Sequence, residues 1–284
     1  MESPYLITEP TVISFSGGRS SAYMLYKTLE DNDGLPDGSM IVFANTGKEM
    51  PETLDFVNDC SVNWDVHITW VELDKVEITG IYESGRHKGK EIRKQTTKIV
   101  TYESASRNGE PFSTLIDSYS SLLQANSRTC TANLKVRRIK DVSGHADCHF
   151  VGIRADEQRR VARLHNKRVE GYTAWCPMFL DGTTKQTVGD FWKLSNFDLQ
   201  LPNNNGVTDF GNCDLCFLKG AKKRISIIKQ RPDLVKWWID EEEKASNQFD
   251  NYGKSYKELE HMALTSSDDM FAHDLPQFAC FCGD

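Results

Sequence analysis

The chain has 284 residues, 39% of them hydrophobic and 26% charged, with a formal net charge of -7 at pH 7. This describes an ordinary soluble globular protein, long enough for one large packed domain or a domain with a small lobe. It excludes a membrane helix, since no run approaches the roughly 20 apolar residues needed, and it argues against a general nucleic-acid coat, although local basic runs can still hold phosphates. The N-terminal MESPYLITEP lacks the basic-then-apolar order of a signal peptide, so the cytoplasm is the expected address. Eight cysteines in that setting point to metal or catalytic thiols rather than disulfides. Four of them fall in two close pairs, Cys213/Cys216 and Cys280/Cys282.

In chain order, Val12, Ile13 and Phe15 read as a short buried strand, and Ala22, Met24, Leu25 and Leu29 recur after it at helical spacing. SFSGGRSS lies between them. Gly17 and Gly18 leave room for close backbone approach, Ser16, Ser20 and Ser21 add hydroxyls, and the helix start aims free N–H groups at the same spot. The segment therefore predicts an anion cradle, with neither the Walker A spacing nor the spaced glycines of the Rossmann fingerprint. SMIVFANTG predicts a second strand ending at Asn45 and Thr46, and PETLDFVNDC a helix with Pro51 at its first position. VHITWVEL predicts a third strand, and CHFVGIR, residues 148–154, a fourth.

Strands alternating with helices predict an α/β fold, a parallel sheet covered by helices on both faces. Ligands of such sheets bind beyond the carboxyl ends of the strands, where the SGG turn, the NTG turn and Gly152 to Arg154 would meet. Residues 84–113 are rich in Lys and Arg with little periodicity and read as a loop or arch over the sheet edge. A solvated insertion and a contact for phosphate or nucleic acid are both open there. A soft boundary near residue 175 separates 1–175 from 176–284, where Pro-, Asn- and Cys-rich loops alternate with helices. Cys60, Cys148 and Cys176 read as core filler. In PDLVKWWIDEEEK, Trp237 and Trp238 read as one buried and one interfacial ring of an amphipathic helix.

SFSGGRSS, then ANTGKEMPETLDFV, then GIRADEQRR resemble the phosphoadenosine phosphosulfate (PAPS) reductase family of the adenine nucleotide alpha-hydrolase-like, or PP-loop ATP pyrophosphatase, superfamily, over much of residues 12–160. The resemblance implies a Rossmann-like nucleotide-binding part over 1–175 and a helical, cysteine-containing part over 176–284. It also implies that Ser16, Gly17, Gly18, Arg19, Ser20 and Ser21 form a PP-loop around nucleotide phosphates. Arg19-Ser20 stands where many relatives have Lys-Asp, and Arg19 keeps a positive charge there. Asn45-Thr46-Gly47 with Pro51-Glu52-Thr53 is similar to the family's T-G-x-x-x-P-E-T, which lies beside the nucleotide. Arg154, two residues after Gly152 at the end of the fourth strand, is expected to hold phosphate or sulfate oxygens with its forked guanidinium. The nucleotide is ATP or a sulfonucleotide, APS or PAPS, and magnesium beside it is left open.

Cys130 in RTCTANLKVRRI and the Cys213/Cys216 pair in GNCDLCFLKG resemble the cluster-binding stretches of iron-sulfur members, which implies a 4Fe-4S cluster. Thr131 stands where cluster-binding relatives commonly have a second, adjacent cysteine. The tail FACFCGD supplies the missing thiol. Cys280, in the apolar context of Phe278, Ala279 and Phe281, is assigned as fourth ligand, and Cys282, in a Gly-Asp terminus, as a mobile nucleophile. By spacing alone, structural zinc would be favoured over the cluster, and the family resemblance reverses that preference. The tail keeps the Cys-Gly of the reductases' catalytic ending but lacks the Glu before it and the His after it.

Three functions are thereby framed. One is ATP-dependent adenylation of a substrate for sulfur transfer, with pyrophosphate released. The second is reduction of APS or PAPS through Cys282. The third is a nucleotide-binding regulator with a structural metal. The expected partners are the adenine nucleotide and a sulfur donor or thiol reductant, with a nucleic-acid acceptor open and no membrane.

Overall fold

The computed structural model describes residues 2–119, 121–124, 128–144, 146–169, 171–203, 208–211, 213–250 and 253–265. Its sheet contains β1 (Thr11–Phe15), β2 (Met40–Ala44), β3 (Ile68–Ile81), β4 (Glu91–Val100), β5 (Cys148–Val151), β6 (Lys167–Val169) and β7 (Tyr172–Trp175), in the order β4-β3-β2-β1-β5-β7-β6. The five central strands run parallel, as alternating strands and helices require. The two edges do not: β4 and β6 pair antiparallel with β3 and β7, so the sheet is mixed rather than parallel throughout.

Both faces are covered. On one, Ile13, Phe15, Ile41, Phe43 and Phe150 join a large buried cluster with α1 (Arg19–Asp31) and α2 (Pro51–Asn63). On the other, Val12, Val42, Ala44 and Val71 pack against Ile139 and Val142 of α4 (Arg137–Val142), which follows α3 (Glu110–Tyr119) and a π-helical turn over Thr131–Val136. Alternate residues of each strand point to opposite faces, so Val12 and Ile13 enter different clusters. α5 (Gln158–Leu164) and α6 (Pro177–Leu180) follow β5 and β7. Beyond them come α7 (Lys185–Leu194), α8 (Ala221–Gln230), α9 (Val235–Ala245) and α10 (Tyr256–Thr265). The large cluster spans both sides of residue 175: Trp238 of α9 meets Phe112 of α3 edge-on at 5.8 Å and stacks on Tyr256 at 5.0 Å. Trp238 is fully buried and Trp237 half-buried, the division the amphipathic pattern predicts. No helix among the described residues is long and apolar enough to cross a membrane.

Residues 84–113 are not the loop or arch that their composition suggests. They hold a tight turn at Gly85–His87, all of β4 and the start of α3. The reason is physical: periodicity marks an element that fully buries one face, and no residue of β4 is fully buried. The third strand is also longer than VHITWVEL, because beyond Leu73 it is held by pairing with β4 rather than by a core.

Candidate functional site

β1 delivers the chain at Phe15 into the SGGRSS turn. Gly17 has φ +80°, a left-handed conformation that side-chain-bearing residues rarely adopt. A Cβ on it would lie 2.9 Å from Thr53 Cγ2, 3.0 Å from the Phe43 ring and 3.2 Å from Val57 Cγ2. Glycine is therefore required by the fit of the turn onto β2 and α2, and the added methyl would point into the core instead of into a phosphate position. Gly18 is the N-cap of α1 and makes no side-chain cap, which leaves first-turn N–H groups and the positive end of the helix dipole for an anion. Ser21 closes the turn: its Oγ lies 2.8 Å from Ser16 Oγ, donates to the Gly18 carbonyl at 3.0 Å and accepts from the Ser16 amide at 3.2 Å.

β5 brings the second half of this site. A Cβ on Gly152 would lie 3.1 Å from Ser21 Cα, so a glycine there lets the strand end come against the first turn of α1. Two residues on, Arg154 reaches across, and its Nη1 donates to Ser20 Oγ at 2.8 Å. Its Nε donates to Asp156 at 3.0 Å, and its backbone amide is held by Glu157 at 3.0 Å. Ser16, Gly18, Ser20, Ser21, Gly152 and Arg154 thus form one cluster at the carboxyl edge of the sheet.

Arg19 leaves that cluster. Its Nε and Nη2 donate to the two carboxylate oxygens of Asp198 at 2.6 and 2.8 Å, and Nη2 also donates to the Leu199 carbonyl at 2.6 Å. Trp192 Nε1 donates to the Arg19 carbonyl at 3.0 Å. In this structure Arg19 thus ties the start of α1 to the segment after α7.

Asn45, Thr46 and Gly47 form a second cluster. Fully buried Asn45 donates to Glu72 at 2.6 Å and to the Ser106 carbonyl at 2.8 Å, and accepts from the Gly47 amide at 3.0 Å. The Glu49 carboxylate takes both the amide and the hydroxyl of Thr46 at 2.8 Å. Thr46 Oγ1 in turn lies 3.4 Å from Cys213 Sγ, and a β-bridge joins Glu49 to Cys213. Lys48 and Asp214 form a buried ion pair at 2.9 Å, with Trp238 Nε1 also donating to Asp214 at 2.8 Å. The T-G-K-E turn is bonded to the cysteine loop. Glu52, expected beside the nucleotide, accepts from Arg231 at 3.2 Å.

Burial pushes the Cys213 thiol up, the Glu49 carboxylate and neighbouring Cys130 add to the rise, and Lys135 opposes it. Lys135 Nζ faces Glu49 Oε1 at 3.4 Å. Cys216 lies on the side of Tyr256, whose hydroxyl pKa burial raises further with Cys216 contributing. A four-iron cluster or a sulfur-bound zinc needs four donors. Among the described residues, Cys130 and Cys213 are neighbours, and no group of three or more His, Cys, Asp or Glu is arranged to hold a metal. No chemical step is routed through a metal. Cys280 and Cys282 lie outside the described residues.

Sequence reasoning missed Glu49, Lys135, Asp198 and the Lys48–Asp214 pair. Lys48 and Glu49 had a signal, their place inside T-G-K-E-M-P-E-T; Asp198 had none. Cys60 and Cys176 are buried as expected of core filler, with burial pushing Cys176 up to about 12. Cys148 is half-buried.

The family model of the phosphoadenosine phosphosulfate reductase domain matches residues 10–180, which takes in the SGGRSS turn, the T-G-K-E turn and Arg154. The chain is also 30% identical over 224 residues to the "Uncharacterized nin region protein ORF290" of Escherichia phage lambda, covering 75% of this chain and 67% of the relative. A domain match across more than half the chain, with its motifs placed at the carboxyl edge of a largely parallel sheet, puts this protein in the phosphoadenosine phosphosulfate reductase family.

Proposed function

We propose that the chain is an enzyme of nucleotide-dependent sulfur chemistry that binds ATP at the SGGRSS turn and adenylates an oxygen of an acceptor, releasing pyrophosphate. The observation that carries this reading is Arg154 Nη1 on Ser20 Oγ at the uncapped start of α1. An arriving phosphate takes the place of the serine as the partner of the guanidinium, while first-turn N–H groups and the serine hydroxyls hold its other oxygens. The acceptor oxygen attacks the α-phosphorus, and the bond from that phosphorus to the pyrophosphate oxygen breaks. Negative charge then grows on the leaving pyrophosphate, where Arg154 and the helix N-terminus stabilise it. A sulfur nucleophile from a donor afterwards attacks the adenylated carbon, and AMP departs with the oxygen.

The test offers ATP, APS and PAPS separately and measures pyrophosphate and sulfite. Pyrophosphate from ATP in the presence of an acceptor is the expected result. Sulfite from APS or PAPS would replace this reading by a reductase with Cys282 as nucleophile. Nucleotide binding without either product would make the chain a regulator. Iron, labile sulfide and zinc analysis of anaerobically purified protein tests the metal expectation separately; iron with sulfide would require ligands from Cys280 or Cys282.

A further inference from the structure

The last pair of β3 with β2 is Val71 with Ala44, level with the row where β1 passes into the SGGRSS turn. β3 does not stop there. It continues ten residues to Ile81, turns through Gly85–His87 and returns as β4, paired from Ile81 with Glu91 down to Trp70 with Val100. At ~3.3 Å per residue, ten residues reach about 33 Å past the ligand-binding edge. The root is anchored: Glu72 and Leu73 are buried, and fully buried Arg138 donates to the Thr96 carbonyl and Thr97 Oγ1 at 2.8 Å and to Gln95 Oε1 at 3.0 Å. The tip is bare, with every residue from 81 to 90 exposed. There Arg86, Lys88 and Lys90 oppose one carboxylate, Glu83, in a chain whose net charge is -7. Nearer the root, Lys75 and Arg93 pair with Glu77 and Glu91, whereas none of the three tip cations is in an ion pair among the described residues.

We propose that this ribbon is a docking arm for duplex DNA, lying in a groove with Arg86, Lys88 and Lys90 against backbone phosphates and the nucleotide site at its root. Charge complementarity selects a polyanion, and the concentration of unpaired cations at the tip of an acidic chain places it there. A small sulfonucleotide at the SGGRSS turn has no use for cations some 30 Å away; a long polymer reaches both. A two-stranded ribbon fits the major groove of B-form DNA, about 12 Å wide, and not the deep, narrow one of A-form RNA. The inference rests on the proposed function only for the chemistry at the root, since DNA binding is measured without nucleotide.

The experiment measures fluorescence anisotropy of a short labelled DNA duplex with the full chain and with the triple variant Arg86→Glu/Lys88→Glu/Lys90→Glu. Three phosphate contacts make the parent affinity fall about 40-fold between about 50 and 200 mM salt. The variant should bind at least about tenfold more weakly with a flatter salt dependence, while its ATP affinity and circular dichroism stay those of the parent. Equal affinity of the variant would overturn the arm. So would a parent that does not bind duplex DNA, or that prefers single strands or duplex RNA, or whose tip serves self-association that the variant abolishes. A parent that binds DNA but no nucleotide would sink the proposed function and leave the arm standing; the converse removes the arm alone.

Discussion

Replacing Lys48 with methionine should cost about 3.5–4 kcal/mol of stability, because it strands a buried carboxylate and removes a cation from over an aromatic ring. Lys48 Nζ is 2.9 Å from Asp214 Oδ2, with the two side chains 6% and 3% exposed, so solvent and salt screen the pair little. Methionine keeps most of the stem volume, which limits the packing change. Breaking a buried pair from one side costs about 3–5 kcal/mol. Asp214 keeps two donors, Trp238 Nε1 at 2.8 Å and the Leu215 amide at 2.6 Å, which places the expected loss at the low end of that range. Loss of the ammonium 4.7 Å over the Trp237 ring adds about 0.5–1 kcal/mol. Urea unfolding followed by tryptophan fluorescence reads this directly, since both rings lie at the perturbed site. The double variant Lys48→Met/Asp214→Asn removes both charges and keeps an oxygen for the two donors, so it should regain at least half of the loss. A single variant within about 1 kcal/mol of the parent, or a double variant no more stable than the single, would refute the reasoning.

Gly17→Ala should destabilise the fold by about 2–4 kcal/mol from left-handed strain and crowding against Thr53, as well as abolish nucleotide binding; an alanine variant with parental melting temperature would contradict this. Arg154→Ala should weaken ATP far more than adenosine in calorimetry, and equal weakening of both would remove its phosphate role. His149 is buried with its ring stacked on Tyr172 at 3.6 Å, and desolvation holds its pKa down to about 4. The unfolded chain therefore binds the extra proton first, so stability is fully present above the ordinary pKa near 6.5 and falls by about 3 kcal/mol as pH drops toward 4; His149→Leu should flatten that slope in acid-unfolding curves. Native Cys60 and Cys176, whose thiols burial pushes up, should resist alkylation at pH 8 in peptide mapping, and modification of either at the rate of a free thiol would count against their burial.

The strand–SGGRSS–helix unit, the helix opening at Pro51 and the strand leading to Arg154 were legible because each carries its cause locally: turn glycines, a proline suited to the first helical position, an apolar run of strand length. The split between Trp237 and Trp238 was legible for the same reason, being a matter of helical period. The exposed ribbon was not. Its strands bury little of their own surface over most of their length, so they lack the pattern that announces a buried face, and their pairing is decided by one another.

The sequence by itself determined that a Gly- and Ser-rich turn sits where a buried strand meets a helix, and which residue types surround it. The tertiary structure alone decided which of those residues come together at the turn. Arg19 and Arg154 carry the same charge beside the same turn, yet one is tied to Asp198, 179 positions away, while the other reaches Ser20 with its Nε held by Asp156, two positions on. Thr46 likewise belongs with Cys213, 167 positions away, which no local spacing specifies. A side chain's charge and reach are local properties, whereas its partner is the group that the packed helices and strands happen to bring within about 3 Å.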